Sequence, residues 1–566
     1  GVAVLTALLL IPPVRQALFG GGVSIPDHRF LAVLPFDNVG NVAENQAFID
    51  GLVYTVTSTL TEMEQFQDAL SVVPARDVLE AGRLSTRAAA ERFGVNLVLA
   101  GSVQRSERGV RIHLQLVDPA RERVLASRQL DEPALDIAAL QDDVVFELAD
   151  LLEVEMNPAA ERALTAGRTA VPVAFDFYTQ ALGYLQRFED ETNLDAAISL
   201  FGLAIKEDSS YALAYAGLGE AYLHRYQASN AAGDVEAALR NGERAVALGD
   251  DLAPVHVALG RIYFETGRYD RAELEYLRAL VLEPKNAAAH HALGAVYARL
   301  GKDDDAEASY QQAIALKPDY WLYHNDLGQF YHRLGRHREA LPKFKDVIAL
   351  QPGNPWGYNN VGAQYARLGR TEEAITWYQK AATINPHAQR ATAFANYNLG
   401  GIYYGRDDFA EAARRFEQVV AYFGTDRDAW ENLGDAYHWG GDPAAARAPW
   451  QRAVALARER LAVNQADPGA LGALAEDYAR LGEADSARAA IERLLALDEP
   501  STASLVSVAK AYEILGRRDD ALTYLAAALD RGYAPVILDA SAWLDALRQD
   551  PRYQQLVRTG RTAETD

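Results

Sequence analysis

The chain has 566 residues, of which 49% are hydrophobic, and it carries a formal net charge of −23. An apolar content this high excludes general disorder, and an acidic balance without a basic stripe excludes a surface for duplex nucleic acid. Since there is no cysteine, disulfides, thiolate metal sites and a cysteine nucleophile are excluded as well.

The amino-terminal residues 1–11 are almost wholly apolar, and Pro12 and Pro13 follow them and break any helix. A span across a bilayer takes about 20 residues, so three interpretations stay open. The segment is the end of a transmembrane helix, the tail of a signal peptide, or a buried or interfacial segment. We expect residues 1–29 to be the end of a transmembrane or signal segment followed by a linker.

Residues 30–155 predict a small α/β domain. Short apolar runs ended by turn residues predict buried strands, and the alternation over 110–117 predicts a half-exposed strand. Helices are predicted between Ala47 and Phe66 and from Asp136 to Glu155. The next stretch, 156–174, is rich in Pro, Gly and small polar residues, which predicts a linker with a short helix.

The middle of the chain is organised around a period of 34 residues. Four residue types keep this period, so chance is excluded as its cause. They are Gly260, Gly294, Gly328 and Gly362; Tyr263, Tyr297, Tyr331 and Tyr365; Ala272, Ala306, Ala340 and Ala374; and Pro284, Pro318, Pro352 and Pro386.

This order of apolar-Gly-x-x-Tyr, then Ala-x-x-x-aromatic, then Pro resembles the tetratricopeptide repeat (TPR), a helix–turn–helix unit of the same length. The resemblance implies an α-helical superhelix, or α-solenoid, of about ten units over 175–535, with 536–566 as a carboxy-terminal cap and tail. The predicted fold is therefore mostly α, with the small α/β domain at its amino-terminal end.

The α/β domain carries a second resemblance. The phrases LAVLPF at 31–36, FIDGL at 48–52, GVNLVLAGSV at 94–103 and RIHLQLVDP at 111–119 stand in the order seen in the amino-terminal domain of the Tol-system protein TolB. The α/β domain is also similar to the related module placed before TPR arrays in bacterial signalling proteins. In those families the domain often follows a single membrane span, which in turn often follows a Ser/Thr kinase, adenylate cyclase or DNA-binding domain.

The sequence carries no catalytic motif. There is no Gly-rich loop ending in Gly-Lys-Ser/Thr, no kinase catalytic loop, no His-Glu-x-x-His and no Gly-x-Ser-x-Gly. His256, His290 and His324 keep the 34-residue period, so we interpret them as packing residues rather than metal ligands. We therefore predict no enzyme, no cofactor and no metal within these residues.

The inner face of a TPR superhelix is formed mainly by the first helix of each unit. Asparagine can bind an extended peptide backbone, arginine can pair with a carboxylate, and aromatic rings supply anchors. The predicted peptide-binding residues on that face are His291, Arg299, Asn325, Gln329, Arg333, Trp356, Asn359, Arg367, Phe394, Tyr397 and Tyr404.

Together these features predict a non-enzymatic scaffold or sensor module that binds a protein or peptide, and no nucleic acid. The resemblance to TolB implies a single-pass protein of the bacterial cell membrane with both domains outside the cytoplasm. Two alternatives stay open. The chain is the non-catalytic tail of a transmembrane Ser/Thr kinase or adenylate cyclase, or it is a structural factor of envelope assembly.

Overall fold

The structure, a computed structural model, describes residues 26, 29–40, 43–62, 70–106, 109–133, 140–385, 388–497, 500–533 and 542–562. The apolar segment 1–11, for which the sequence suggests a membrane or signal role, lies outside the described residues. The chain divides into two compact units, residues 1–354 (unit 1) and 355–566 (unit 2).

Unit 1 begins with a small sheet and its helices, as the sequence predicts. The strands are β1 (Arg29–Val33), β2 (Asp37–Asn38), β3 (Leu70–Val72), β4 (Leu97–Ser106), β5 (Gly109–Asp118) and β6 (Arg123–Pro133). The helices are α1 (Ala43–Glu62), α2 (Ala75–Glu80), α3 (Thr86–Phe93) and α4 (Leu140–Leu151).

The sheet has the order β3-β1-β4-β5-β6, with β2 paired to β4. The pairs of β1 with β3 and β4 are parallel, whereas β4–β5 and β5–β6 are antiparallel. Because successive side chains of a strand point to opposite faces, β1 serves two cores. Leu31 and Val33 pack with residues of α1 and α4, and Ala32 and Leu34 pack with residues of α2 and α3.

A short helix, α5 (Pro158–Thr165), leads from this domain to five pairs of antiparallel helices in unit 1. The pairs are α6 (Pro172–Leu185) with α7 (Glu191–Glu207), α8 (Ala212–Ser229) with α9 (Ala232–Leu248), α10 (Ala253–Glu265) with α11 (Tyr269–Leu282), α12 (Ala287–Leu300) with α13 (Asp303–Leu316), and α14 (Trp321–Arg333) with α15 (His337–Leu350).

The α/β domain is joined closely to the first helix pair. Helix α1 packs against α6, and Phe175 of α6 lies in the core of the α/β domain. Ion pairs cross the same junction; they are Asp50–Arg187 at 2.6 Å, Arg105–Asp176 at 2.6 Å, Arg76–Glu189 at 3.1 Å, and Asp142–Arg168. The helix pairs and the sheet of unit 1 therefore form one packed body.

The α/β domain also reaches turns much further along the array. The Trp321 indole N–H donates to Asp77 at 2.7 Å, and the side-chain amide of Gln351 donates to the same carboxylate at 3.0 Å. Ser71 donates to Asp319 at 2.6 Å. The domain thus contacts turns that precede α14 and follow α15.

Unit 2 holds five more helix pairs among its described residues, followed by a short carboxy-terminal segment. The pairs are α16 (Pro355–Arg367) with α17 (Thr371–Ile384), α18 (Gln389–Tyr404) with α19 (Phe409–Tyr422), α20 (Arg427–Trp439) with α21 (Pro443–Val463), α22 (Pro468–Arg480) with α23 (Ala484–Leu495), and α24 (Thr502–Ile514) with α25 (Arg518–Asp530). A 3-10 turn (Ala542–Leu544), α26 (Asp545–Arg548) and α27 (Pro551–Thr562) complete it.

The periodic residues lie where the two helices of a pair cross. A Cβ added to Gly260 would lie 2.8 Å from the Tyr276 ring, and one added to Gly294 would lie 2.8 Å from the Tyr310 ring. The alanine of each second helix is fully buried at Ala272 and Ala306. Small residues at these positions let the helices approach, which confirms the sequence interpretation of the 34-residue period.

The periodic histidines fasten the turn that precedes their own helix. The ring Nε2 lies within hydrogen-bond distance of a carbonyl oxygen six residues earlier, at 3.0 Å for His256 with Asp250, 3.1 Å for His290 with Pro284 and 2.8 Å for His324 with Pro318. Trp430 occupies the same repeat position, and its indole N–H donates to the Gly424 carbonyl at 3.0 Å. Tyr358 stands at this repeat position as well and has no ring N–H, so the contact between ring and carbonyl is a feature of these four repeats and not a requirement of the position.

Candidate functional site

Five of the predicted peptide-binding residues lie on two first helices of unit 1. His291 and Arg299 belong to α12, and Asn325, Gln329 and Arg333 belong to α14. Arg299, Gln329 and Arg333 are exposed, whereas His291 and Asn325 are partly buried. We call these five residues the unit 1 surface.

Asp326 connects the partly buried members of this surface, although sequence reasoning did not single it out. Its carboxylate lies 2.7 Å from Nε2 of His291 and accepts a hydrogen bond from the Asn325 side chain at 3.0 Å. The His291 ring also stacks on Tyr323, with the ring centroids 4.8 Å apart. Sequence reasoning could have found Asp326 from its position beside Asn325, since neighbouring polar residues on one helix compete for the same hydrogen-bond partners.

Arg299 and Arg333 both affect the pKa of the Tyr310 phenol. Tyr310 belongs to α13 and is only 4% exposed. Burial raises the pKa of Tyr310 and Asp326 raises it further, while Arg333 and Arg299 lower it. The two arginines are 34 residues apart, so they occupy the same position in successive repeats. No ion pair is found for either arginine in the part of the chain that the structure describes, although the Arg333 guanidinium lies 5.9 Å from the Phe330 ring.

An equivalent position in an earlier repeat of unit 1 is occupied by internal contacts. Arg261 stands where Gln329 stands in its own repeat, and it contacts Glu220 at 3.2 Å and the His224 ring at 3.2 Å. That ring stacks on Phe188 at 4.0 Å, and Arg76 of the α/β domain lies 4.9 Å from the Phe188 ring centroid. Arg261 is therefore held by internal contacts that reach the α/β domain, whereas Gln329 is exposed.

Two predicted residues of unit 2 form an exposed aromatic pair. Trp356 is 38% exposed and Phe394 is 40% exposed, and their ring centroids are 5.3 Å apart. Phe394 also meets Phe423 edge to face at 5.5 Å. The two residues occupy the same position in successive repeats, six residues before the crossing glycines Gly362 and Gly400.

The other four predicted residues of unit 2 are placed differently from one another. Arg367 is exposed, whereas Asn359 is buried and its side-chain amide donates to the Ala391 carbonyl at 3.0 Å. Tyr397 accepts a hydrogen bond from Asn432 at 3.3 Å, and Tyr404 packs edge to face on Phe409 at 5.2 Å. Asn359 therefore ties α16 to α18 in this structure, and the peptide-binding role of all four stays a prediction.

A buried cluster of charges in unit 2 was not predicted from the sequence. Arg480 is almost fully buried and pairs with Glu431 at 2.5 Å, Asp435 at 3.0 Å and Asp477 at 3.3 Å. Arg427 pairs with Glu431 at 2.6 Å and Asp477 at 3.0 Å. Arg480 stands five residues after the crossing position, as Arg299 and Arg333 do, and that shared position was the signal that could have revealed it.

The pKa values of two carboxyl groups in this cluster, those of Glu431 and Asp435, are shifted in opposite directions. Burial raises the pKa of Glu431, but Arg480 and Arg427 outweigh it and lower the value to about 2. For Asp435, burial and the charge of Glu431 together outweigh Arg480 and raise the pKa. Two carboxyl groups with separated pKa values can serve acid–base chemistry, but here both are held by arginine, so a structural role explains them fully.

Neither metal binding nor membrane crossing is supported by the residues that the structure describes. Over these residues, no three His, Asp or Glu side chains come together in a way that could hold a metal ion. None of the helices in the same ranges has the length and apolar character needed to cross a bilayer.

Comparison with protein families identifies part of the helical array. Tetratricopeptide repeat models match 260–301, 296–355, 355–423, 397–469 and 468–493. Residues 260–493 are tetratricopeptide repeats. Because the matched residues do not include 30–155, the resemblance of that domain to TolB stays a prediction.

One curated relative matches about a third of the chain. The chain is 28% identical over 197 residues to "Putative adenylate cyclase 3" of Rhizobium meliloti (strain 1021). The match covers 34% of this chain and 32% of that protein. The chain thus spans about a third of the length of the relative that it matches.

Solved structures of other proteins resemble parts of the chain. YrrB, described as a TPR protein with an unusual peptide-binding site, is 25% identical with a TM-score of 0.26, covering 34% of this chain and 95% of YrrB. PilF of Pseudomonas aeruginosa is 18% identical with a TM-score of 0.31, covering 36% of this chain and 90% of PilF. Since both TM-scores lie below 0.5, neither likeness supports an assignment of function.

Proposed function

We propose that the chain is a non-enzymatic, protein-binding scaffold whose repeats bind an extended acidic segment of a partner at the unit 1 surface. The observation that carries this proposal is the pair Arg299 and Arg333. They occupy the same position in two successive repeats, both are exposed, and neither has an ion pair among the described residues. In a chain with a net charge of −23, unpaired arginines at matched positions favour an external anion.

The neighbouring side chains suit a peptide better than a small anion. A guanidinium group offers a planar fork of donors that matches a carboxylate. Gln329 is exposed on the same helix as Arg333, one turn earlier, and its amide can both donate to and accept from a peptide backbone. Exposed charge of one sign also attracts a partner of the opposite sign and speeds association.

The proposal is tested with a fluorescein-labelled peptide of alternating Glu and Ser, and with a matched peptide in which Gln replaces Glu. Charge-assisted hydrogen bonds contribute about 1.5–3 kcal/mol each, so Arg299→Gln and Arg333→Gln should each raise the Kd for the acidic peptide about tenfold or more. Fluorescence anisotropy at low and high salt measures both effects, since salt screens exposed charges.

Arg338→Gln is the matched control, because Arg338 is also an exposed arginine but lies on the second helix α15. It should leave the Kd unchanged. Equal binding of the acidic peptide by wild type and by the Arg299→Gln/Arg333→Gln double variant would contradict the proposal, as would equal binding of the Glu and Gln peptides by wild type.

The cellular setting is a further part of the proposal. We place the chain in a single-pass protein of the bacterial cell membrane, with the α/β and TPR domains outside the cytoplasm. The apolar residues 1–11 and the resemblance of 30–155 to TolB support this setting. Fusion of a reporter enzyme that is active only outside the cytoplasm to the carboxy terminus tests it, and an inactive fusion that is nevertheless stably produced would count against it.

A second candidate function is favoured by the match to adenylate cyclase 3. In that case the chain is the non-catalytic part of a transmembrane adenylate cyclase, and the partner bound by the repeats controls a catalytic domain encoded before Gly1. A transmembrane Ser/Thr kinase is the other catalytic partner that the TolB-like resemblance implies. Sequencing the coding region upstream of Gly1 separates these possibilities, and a reading frame without a catalytic domain would exclude both.

A further inference from the structure

The side chain of Trp543 lies against residues of α20, α21 and α22, and it also packs against the core cluster that includes Val508 and Ala511 of α24. Its indole N–H donates to Oδ2 of Asp435 at 3.1 Å. The other oxygen of the same carboxylate, Oδ1, accepts from the indole N–H of Trp450 at 3.0 Å. Asp435 is only 7% exposed, so its oxygens depend on donors supplied by protein groups.

Three further side chains surround the Trp543 ring. The His438 imidazole stacks on it with the centroids 4.8 Å apart, and Trp439 meets it at 5.1 Å. The Arg480 guanidinium lies 5.9 Å from the ring centroid, within the range of a cation–π contact. We call Asp435, His438, Trp439, Trp450 and Arg480 the indole site.

The segment that carries Trp543 is anchored elsewhere. We call residues Ala542–Arg548 the carboxy-terminal hook. Its Leu544 and Leu547 are buried in a separate cluster with Leu505, Leu522 and Leu525 of the last helix pair, while Trp543 itself stays partly exposed. Leu544 and Leu547 can therefore stay buried against the last helix pair when the indole ring leaves the site.

The indole site selects by both shape and hydrogen bonding. A flat aromatic ring is required by the stacking with His438, and a donor on that ring is required by the buried Asp435 carboxylate. Among protein side chains the indole of tryptophan combines a large flat ring with a single N–H donor. A tryptophan side chain is consequently the chemistry that the site fits.

We propose that the indole site binds a tryptophan side chain presented by a partner protein, and that Trp543 holds the site closed until that partner arrives. The inference deepens the proposed function, since it rests on the chain being a protein-binding scaffold. It concerns unit 2, however, and does not involve Arg299 or Arg333, so the two proposals fail in separate experiments.

The test uses the full chain with Trp543→Ala and N-acetyl-tryptophanamide as the probe, titrated by ligand-observed NMR. The variant should bind the probe at least about tenfold more tightly than wild type, in which the tethered Trp543 competes at a high effective concentration. N-acetyl-1-methyltryptophanamide lacks the ring N–H and should bind the variant about fivefold or more weakly, because it leaves a buried carboxylate oxygen without a donor.

Trp356→Ala is the matched control, since it removes a tryptophan of unit 2 and leaves Trp543 in place; it should bind the probe no better than wild type. Circular dichroism verifies that each variant is folded. Should Trp543→Ala fail to fold, Trp543→Phe replaces it, because phenylalanine fills the site but cannot donate to Asp435, and it should bind the probe more tightly than wild type. Probe binding that is the same in wild type and in the folded variant, or that is unaffected by the ring methyl group, would overturn the proposal.

Discussion

Gly51 of α1 and Gly183 of α6 meet backbone to backbone. A Cβ added to Gly183 would lie 1.8 Å from the Ala47 carbonyl oxygen, and one added to Gly51 would lie 1.8 Å from the Thr179 carbonyl oxygen. Since both obstacles are backbone atoms, neither can rotate away. This contact brings the α/β domain and the first helix pair of unit 1 closer together than any other residue type would permit.

We expect Gly183→Ala to lower the free energy of unfolding by about 3 kcal/mol, because the two helices must move apart to admit the methyl group. Gly202→Ala is the control, since Gly202 lies on the neighbouring helix α7 with no atom within 4 Å of an added Cβ. That change should stabilise the protein by about 0.5–1 kcal/mol, the usual gain for alanine in a helix. Urea unfolding followed by circular dichroism measures both, and similar effects of the two changes would refute the close-contact interpretation.

A second prediction concerns the crossing of α12 and α13. Ala306 is fully buried there, so Ala306→Leu should overpack the crossing and lower the free energy of unfolding by about 1–3 kcal/mol. Ala308→Leu, on an exposed position of the same helix, should change it by no more than about 0.5 kcal/mol. Thermal unfolding of both variants provides the comparison, and an unchanged midpoint for Ala306→Leu would contradict the expectation.

A third prediction concerns the dependence of stability on pH. Burial raises the pKa of the Asp142 carboxyl to about 6, although Arg168 acts to lower it. The native state therefore keeps a proton that the unfolded chain releases above pH about 4. Because of this carboxyl, the free energy of unfolding should fall by up to about 3 kcal/mol as the pH rises from about 4 to 6. Above pH about 6 the carboxyl should no longer change the free energy of unfolding with pH.

Asp142→Asn should remove this contribution. The measurement is the difference in free energy of unfolding between wild type and variant at several pH values, because other carboxyl groups of the protein add slopes of their own that cancel in the difference. Glu161→Gln, at an exposed position of the next helix α5, is the control. A difference that is the same at pH 4 and pH 7 would contradict the prediction.

A fourth prediction concerns the ion pair of Asp50 with Arg187. Asp50 is 2% exposed, its pKa is raised by burial and lowered by Gln46 and Arg187, and the Gln46 amide donates to it at 2.9 Å. Arg187→Ala should cost about 2 kcal/mol, below the usual cost for a buried pair because Arg187 itself is half exposed. The Asp50→Asn/Arg187→Ala double variant should recover about 1 kcal/mol of that loss, whereas simple addition of the two single effects would show that the pair is not coupled.

The helical array was predictable from the sequence because its packing is local. The distance from Gly260 to Tyr276 along the chain is the same as that from Gly294 to Tyr310, so one contact repeated at a fixed period reveals the whole crossing. The strands of the α/β domain were predictable for a similar reason, since their apolar runs and alternation are properties of single segments. Both predictions are confirmed by the structure.

The contacts that join distant segments could not be predicted. No pattern in the sequence indicates that Gly51 meets Gly183, or that Asp77 receives a hydrogen bond from Trp321, because these pairs depend on how folded elements come together. The same holds for Trp543 and Asp435. Of the predicted peptide-binding residues, the sequence placed Arg299 and Arg333 by their repeat position, but it could not show that the Asn359 amide bonds to Ala391.

The turn contacts of His256, His290 and His324 have a consequence for how the array could have grown. Each ring closes a turn that belongs to its own repeat, six residues away, and needs no partner from the rest of the chain. A duplicated gene segment of one period would therefore carry its own turn fastening and fit the existing series without further mutation. The tryptophan at position 430 and the tyrosine at position 358, which stand at the same place in their repeats, indicate that such copies can diverge afterwards.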